Sequence, residues 1–186
     1  MKLDIICNNA ITTQTKNEND EFYTPEYAIT PLLRYLKPNS VIWCPFDIDS
    51  SLFVKLLTKN GHTVINTHIE TGQDFFNTTP PECDYIISNP PYSIKYEVFS
   101  KLFDIGKPFA MLVGVVGLFE SQKRFSLFKE NNFEIMYFNK RISYFKSYDD
   151  AVCKLNPPFS SVYITSNILP NKIVFEEIEK SKGKAK

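Results

Sequence analysis

Three observations predict an α/β domain with a mostly parallel sheet covered by helices on both faces. Strand-like and helix-like segments alternate from Val41 onward. Two of the strand-like runs, Tyr85-Ile86-Ile87-Ser88 and Phe109-Ala110-Met111-Leu112-Val113-Gly114, are apolar nearly throughout, as in strands buried on both sides. Helix breakers stand where the helical segments end, at Gly61, Gly106 and Pro108.

The elements follow in order. Residues 1 to about 20 are mostly polar and are expected to be loosely ordered. The segment Phe22-Tyr23-Thr24-Pro25-Glu26 leads into a helix over Tyr27–Leu36, with Thr24 suited to the N-cap and Pro25 to the first helical position. Val41–Phe46 reads as the first strand, Ser51–Asn60 as the next helix, and Thr63–Ile69 as a β-rich second strand. Tyr85–Ser88 is the third strand and Ile94–Ile105 the helix after it. Phe109–Gly114 is another strand, followed by a helix from about Ser121 to Asn131 and strands at Phe133–Phe138 and Ser161–Thr165. Residues 146–159, with Pro157-Pro158, form a long connection suited to a substrate loop. In such a sheet a ligand lies outside the carboxyl ends of the strands, near the reversal in strand order.

The 186 residues form one expected domain, long enough to bury a core without disulfide or metal support. Apolar content of 43% and charged content of 23% are those of a soluble globular chain, with no apolar run of membrane-spanning length and no signal peptide. Cys7, Cys44, Cys83 and Cys153 are scattered without a CxxC pair, and only two histidines occur, so reduced thiols in a cytoplasmic protein are expected and a metal site is not. Zero net charge counts against a stand-alone binder of duplex DNA. The stretch Lys140–Tyr148 nevertheless interleaves cations with aromatics, which suits a single-strand or flipped-base platform and equally suits a strand with a basic polar face. The lysine-rich residues 180–186 read as a solvated tail that can add nonspecific phosphate attraction.

The most informative residues are Asn89-Pro90-Pro91-Tyr92, directly after the strand Tyr85–Ser88. Two prolines fix φ and supply no N–H donor, so nearby carbonyls can face a ligand. Asn89 adds a side-chain acceptor, and Tyr92 a ring on which a flat heterocycle can stack. Together they suit an exocyclic amine on a planar ring, with adenine an obvious guest. The competing reading is a strand ended by a surface turn.

With this tetrapeptide the chain resembles the amino-methyltransferases that use S-adenosylmethionine (SAM), particularly the small phage and prophage DNA N6-adenine methyltransferases, over about Phe22 to Ile168. The resemblance implies a single-domain class I (Rossmann-like) fold with a mostly parallel seven-stranded sheet. It also implies DNA as the partner, with RNA as an alternative, a monomer or homodimer, and a bacterial or phage-infected cytoplasm. Asn89, Pro90, Pro91 and Tyr92 take the catalytic positions. Phe22-Tyr23-Thr24-Pro25 resembles the family's aromatic-Tyr-Thr-Pro motif, placing Tyr23, Thr24 and Pro25 against the methionine part of SAM.

The family's Asp-Pro-Phe-x-Gly-x-Gly loop is altered to Cys44-Pro45-Phe46-Asp47-Ile48-Asp49-Ser50. Pro45 and Phe46 survive, both glycines are replaced, and Asp47 and Asp49 add carboxylates beside the expected ammonium. His68, with Glu70 as the alternative, falls where the ribose or adenine edge of SAM is held. Gly72-Gln73-Asp74-Phe75-Phe76 resembles the motif whose Asp accepts from the cofactor adenine, giving Asp74 and Phe75 cofactor roles. Core packing is the competing reading for Phe75. Lys95, Phe119, Arg141 and Tyr144 are candidate substrate contacts.

The expected chemistry is alignment of an amine with a sulfonium methyl, worth about 7–11 kcal/mol of barrier lowering. Asn89 and the Pro90 carbonyl would accept from the amine as it becomes positively charged. RNA adenine, a protein glutamine, and a catalytically silent binding module are the alternatives, the last favoured by the missing glycines.

Overall fold

The computed structural model describes residues 22–146 and 155–180. Seven strands form one sheet: β1 (Val41–Cys44), β2 (Thr63–Asn66), β3 (Tyr85–Ser88), β4 (Phe109–Gly114), β5 (Glu134–Phe138), β6 (Ser161–Ser166) and β7 (Ile173–Glu176). Their spatial order is β2-β1-β3-β4-β6-β5-β7. Every neighbouring pair is parallel except the two that involve β6, which runs against β4 and β5. The sheet is therefore mixed, with one strand reversed.

Side-chain alternation sorts the core into two halves. Ile42, Cys44, Ile87, Ala110 and Leu112 pack with Ala28, Ile29 and Leu32 of α1 (Glu26–Leu33) and with Phe53 and Leu57 of α2 (Leu52–Lys59). Trp43, Ile86, Met111 and Val113 pack with Val98, Phe99 and Leu102 of α3 (Lys95–Ile105) and with Phe128 of α4 (Gln122–Glu130). Each side chain fully withdrawn from water stabilises the fold by about 1.5–3 kcal/mol. Both faces of β1, β3 and β4 are thus covered, as their apolar runs require.

Helix boundaries follow local chemistry. Ser51 Oγ accepts from Phe53 N at 3.2 Å to cap α2, and Ser121 Oγ accepts from Arg124 N at 3.3 Å to cap α4. Gly106, at φ 70°, closes α3 in the left-handed region that glycine enters without strain. At α1 the N-cap is Pro25, not Thr24, and no side chain caps the helix. This helix ends at Leu33, short of the expected Leu36. β1 stops at Cys44 because Pro45 has no N–H to continue the ladder. β2 stops at Asn66, and the chain then forms a 3-10 turn over Ile69–Thr71.

The strand β7 was not among the segments read from the sequence. It is short and half exposed, with Phe175 79% accessible, so it lacks the buried run that marked β3 and β4. Its buried Glu176 accepts from the Arg34 guanidinium and the Tyr35 hydroxyl just beyond α1. Among the described residues no helix is long and apolar enough to cross a membrane. Cys44 and Cys83 are buried free thiols, whereas Cys7 and Cys153 lie outside the described residues.

Candidate functional site

The strand order reverses between β1 and β3: β2 lies beyond β1 on one side, and β4 beyond β3 on the other. At the carboxyl ends of these two strands lie the loop Pro45–Ser51 and the tetrapeptide Asn89–Tyr92. The topology places the two motifs beside each other at the switch point.

The loop after β1 is held by side chains that flank the replaced glycine positions, Ile48 and Ser50. Asp47 is buried, and its two carboxylate oxygens accept from the Ser51 and Ser88 hydroxyls. One carboxylate thereby ties the loop after β1, the cap of α2 and the end of β3 together. Its N–H donates to Thr67 O at 3.3 Å, and Asn66 Nδ2 donates to Asp47 O at 3.3 Å and to Asp49 Oδ1 at 2.8 Å. Burial raises the Asp47 carboxyl to about 6, against the two hydroxyl donors, which lower it. Pro45 is buried and Phe46 half-buried against Phe75, with ring centroids 4.9 Å apart.

At the tetrapeptide, Asn89 Nδ2 donates to Phe22 O at 2.6 Å. Its Oδ1 is buried with no hydrogen-bond partner among the described residues. A buried acceptor in this state is rare, because it forgoes water without recovering a bond. Pro90 is buried and Pro91 half-buried. The Tyr92 hydroxyl lies 3.0 Å from that of Tyr144, which donates to Ser161 Oγ at 2.8 Å. Burial holds Tyr92 well above the ordinary phenol value and raises Tyr144 to about 12, so both stay protonated at neutral pH. The Phe22 ring stacks on Tyr92 at 5.0 Å and 27°, and lies 5.1 Å from Tyr144.

The remaining sequence-derived residues divide clearly. Thr24 is 1% exposed and its Oγ1 has no partner among the described residues. The Tyr23 carbonyl accepts from Phe145 N at 3.0 Å, pinning the segment before α1. Lys95 is buried, donates to Val116 O at 2.7 Å and stands 5.3 Å over the Tyr92 ring. His68 Nδ1 accepts from Glu70 N at 3.2 Å, capping the 3-10 turn after β2. Asp74 is engaged locally: Oδ1 accepts from Phe76 N at 3.1 Å and Oδ2 from Asn77 Nδ2 at 2.7 Å. Phe75 is a core residue between Trp43 and Phe46, with Lys101 Nζ 4.9 Å over its ring.

Arg141 is exposed, whereas Tyr144 is fully buried, so in the Lys140–Tyr148 segment Tyr144 faces the core and not solvent. The expected substrate loop falls largely on residues 147–154, outside the described residues, as do residues 1–21 and 181–186. Sequence reasoning gave no site role to Ser51, Ser88 or Ser161, and took Phe22 only as the aromatic of the Tyr23-Thr24-Pro25 motif, not as a neighbour of Tyr92. The Ser88 signal was its position against Asn89; nothing in the sequence pairs it with Asp47. Among the described residues no cluster of three His, Cys, Asp or Glu is set to hold a metal.

The fold is shared with subunits of type I restriction systems. It matches a modification subunit assigned to a type I restriction enzyme from Vibrio vulnificus YJ016, with TM-score 0.57 and 11% identity over 91% of this chain and 49% of that one. It also matches the methyltransferase subunit of a type I restriction-modification system from Streptococcus thermophilus, with TM-score 0.50 and 15% identity over 88% and 49%. The chain spans about half the length of these two structures. No protein-family model and no curated protein matches it. These likenesses define the class by fold: an α/β, Rossmann-like methyltransferase fold.

Proposed function

We propose that this protein transfers a methyl group from S-adenosylmethionine to the exocyclic N6 amino group of adenine in DNA, as a small enzyme of phage or mobile-element type. The observation that carries this reading is the buried, unpartnered Asn89 Oδ1 at the head of Asn-Pro-Pro-Tyr, at the switch point of a methyltransferase fold. An amide oxygen in that position gains a bond when a donor is brought to it, and an exocyclic N–H is such a donor. Asn89 would accept from the adenine amine, drawing its lone pair out of conjugation, and Tyr92 would hold the ring.

The residues present fit the cofactor. The buried Thr24 hydroxyl, without a partner among the described residues, lies in the Tyr23-Thr24-Pro25 segment, and exposed Asp49, which accepts from Asn66, lies in the loop after β1. Thr24, Pro25, Pro45, Phe46 and Asp49 would hold its methionine end, and His68 and Asp74 its nucleoside end. When bound, SAM supplies an electrophilic methyl group. Asp47 serves these residues indirectly, by fixing the loop after β1 onto Ser88, one residue before Asn89.

The test is incubation with methyl-labelled SAM and separate DNA and RNA substrates, followed by nucleoside digestion and mass detection of N6-methyladenine. Label in DNA supports the reading, and label in RNA alone moves the substrate. Asn89→Ala should lower transfer at least a hundredfold while leaving SAM affinity within about twofold, because the lost acceptor acts on the amine. Equal activity of that variant would overturn the mechanism. A catalytically silent binding module is the second reading, favoured by a loop closed through Asp47 without either glycine. Folded protein that binds nucleic acid but neither binds SAM nor transfers methyl would establish it.

A further inference from the structure

Phe22 presents, from within the chain, the flat aromatic face that the proposed site needs from a base. Its ring stacks on Tyr92 at 5.0 Å and 27°, with Tyr144 at 5.1 Å and the edge of Phe159 at 6.3 Å. Phe159 itself lies 5.8 Å from Tyr92 and rests on Gly114, where an added Cβ would stand 2.6 Å from its ring. The three rings therefore enclose a slot for one flat aromatic group. At the same time the Phe22 carbonyl accepts a hydrogen bond from Asn89 Nδ2 at 2.6 Å, while Asn89 Oδ1 stays without a partner among the described residues. The stacking place is thus filled by one residue of the protein itself, and the acceptor is left for an amine.

We infer that Phe22 is an internal stand-in for the target base, occupying the Tyr92–Tyr144–Phe159 slot until an adenine displaces it. The inference rests on the adenine reading of Asn89. Two objects cannot share the face of Tyr92, so base binding and the Phe22 stack are mutually exclusive. The slot is available only for the fraction of time that Phe22 is out, and the apparent affinity for a base falls by that fraction. Release does not require α1 to unfold. The backbone bond from Phe145 N to Tyr23 O and the start of α1 at Glu26 both lie after Phe22, so its ring can swing away with these anchors intact. The arrangement keeps a desolvated aromatic slot from collapsing or taking up unrelated flat molecules, and it sets a threshold that a weakly presented base fails to cross.

The test compares wild type with Phe22→Ala, Phe22→Leu and Phe22→Tyr in the full chain. Fluorescence anisotropy reads binding of a labelled single-stranded DNA holding one adenine, and of the same strand with no adenine. Circular dichroism confirms that each variant is folded. Phe22→Ala and Phe22→Leu should bind the adenine strand about tenfold more tightly, the scale of one aromatic pair removed from competition. The adenine-free strand should be unaffected, and Phe22→Tyr, which keeps a ring, should match wild type. If wild type distinguishes the two strands but the folded Ala and Leu variants gain nothing or lose affinity, Phe22 is not a competitor and this inference falls alone. If no protein, wild type included, distinguishes the strands, the adenine reading falls and takes this inference with it.

Discussion

Replacing Asp47 by Asn should make the protein more stable at neutral pH, although it removes the carboxylate that joins three parts of the site. The group is 6% exposed, and its pKa is raised from 3.8 to about 6. Each pKa unit corresponds to about 1.4 kcal/mol, so a rise of roughly two units means that ionised Asp47 costs the fold about 3 kcal/mol. The sign follows from proton uptake. Between about pH 4 and pH 6 the native protein holds the proton more firmly than the unfolded chain does. The contribution is fully present below 3.8 and is lost as pH rises through about 6.

Asparagine keeps one acceptor and adds a donor, and the Ser51 and Ser88 hydroxyls can rotate to meet both. Guanidinium unfolding of wild type and Asp47→Asn from pH 4 to pH 8 measures the difference. Any contribution from His62, whose pKa burial lowers, cancels when the two proteins are subtracted. The difference should be near zero at pH 4 and reach about 3 kcal/mol in favour of the variant above pH 7. A variant less stable than wild type at pH 7, with a pH profile parallel to it, would show that the two hydroxyl bonds outweigh desolvation and would refute the reasoning.

Thr67→Val deletes the hydrogen-bond acceptor of the buried Trp43 indole, an Nε1 to Oγ1 bond of 2.9 Å, and should cost about 1–3 kcal/mol in denaturant unfolding. Gly114→Ala places a methyl 2.6 Å from Phe159, so the ring must shift; thermal and chemical unfolding should reveal a loss of about 1–3 kcal/mol. Ser51→Ala removes both the α2 cap and one donor to Asp47. It should lower stability by about 1 kcal/mol and move the Asp47 stability transition to higher pH, which the same pH series detects.

The central strands were legible because burial on both faces leaves an uninterrupted apolar signature: Tyr85–Ser88 and Phe109–Gly114 fall where the sequence placed them. The tetrapeptide was legible for a similar reason, since Pro-Pro can end a buried strand but cannot continue it. The edge strand β7 was not: Ile173-Val174-Phe175 is strand-like in composition, but the run is only four residues long and Ile173 and Phe175 face solvent, so it lacks the buried apolar signature. Nor could the sequence assign Asp47 its inward direction. A carboxylate beside an expected ammonium and a carboxylate clamped by two serines look alike until Ser88, forty-one positions away, is brought to it. Tyr144 shows the same limit: its cationic neighbours suited a surface platform and a basic-faced strand equally, and only the fold turns its ring inward, where the hydroxyl bonds Ser161. Local composition names the residue types at a site, while long-range pairing decides which of them face a guest.

Glu176 has a bearing on when the site comes into being. This carboxylate on β7 holds Arg34 and Tyr35, more than 140 positions earlier in the chain, at the end of the helix that follows Tyr23-Thr24-Pro25. During synthesis α1 leaves the ribosome long before its anchor. Until β7 has been made and has paired with β5, the carboxyl end of the helix lacks its polar anchor, and only the apolar side and the bonds of Phe22, Tyr23 and Tyr27 hold this part of the chain. The contact makes competence a late event, so nascent chains that stall before Glu176 carry Asn-Pro-Pro-Tyr without a finished site around it.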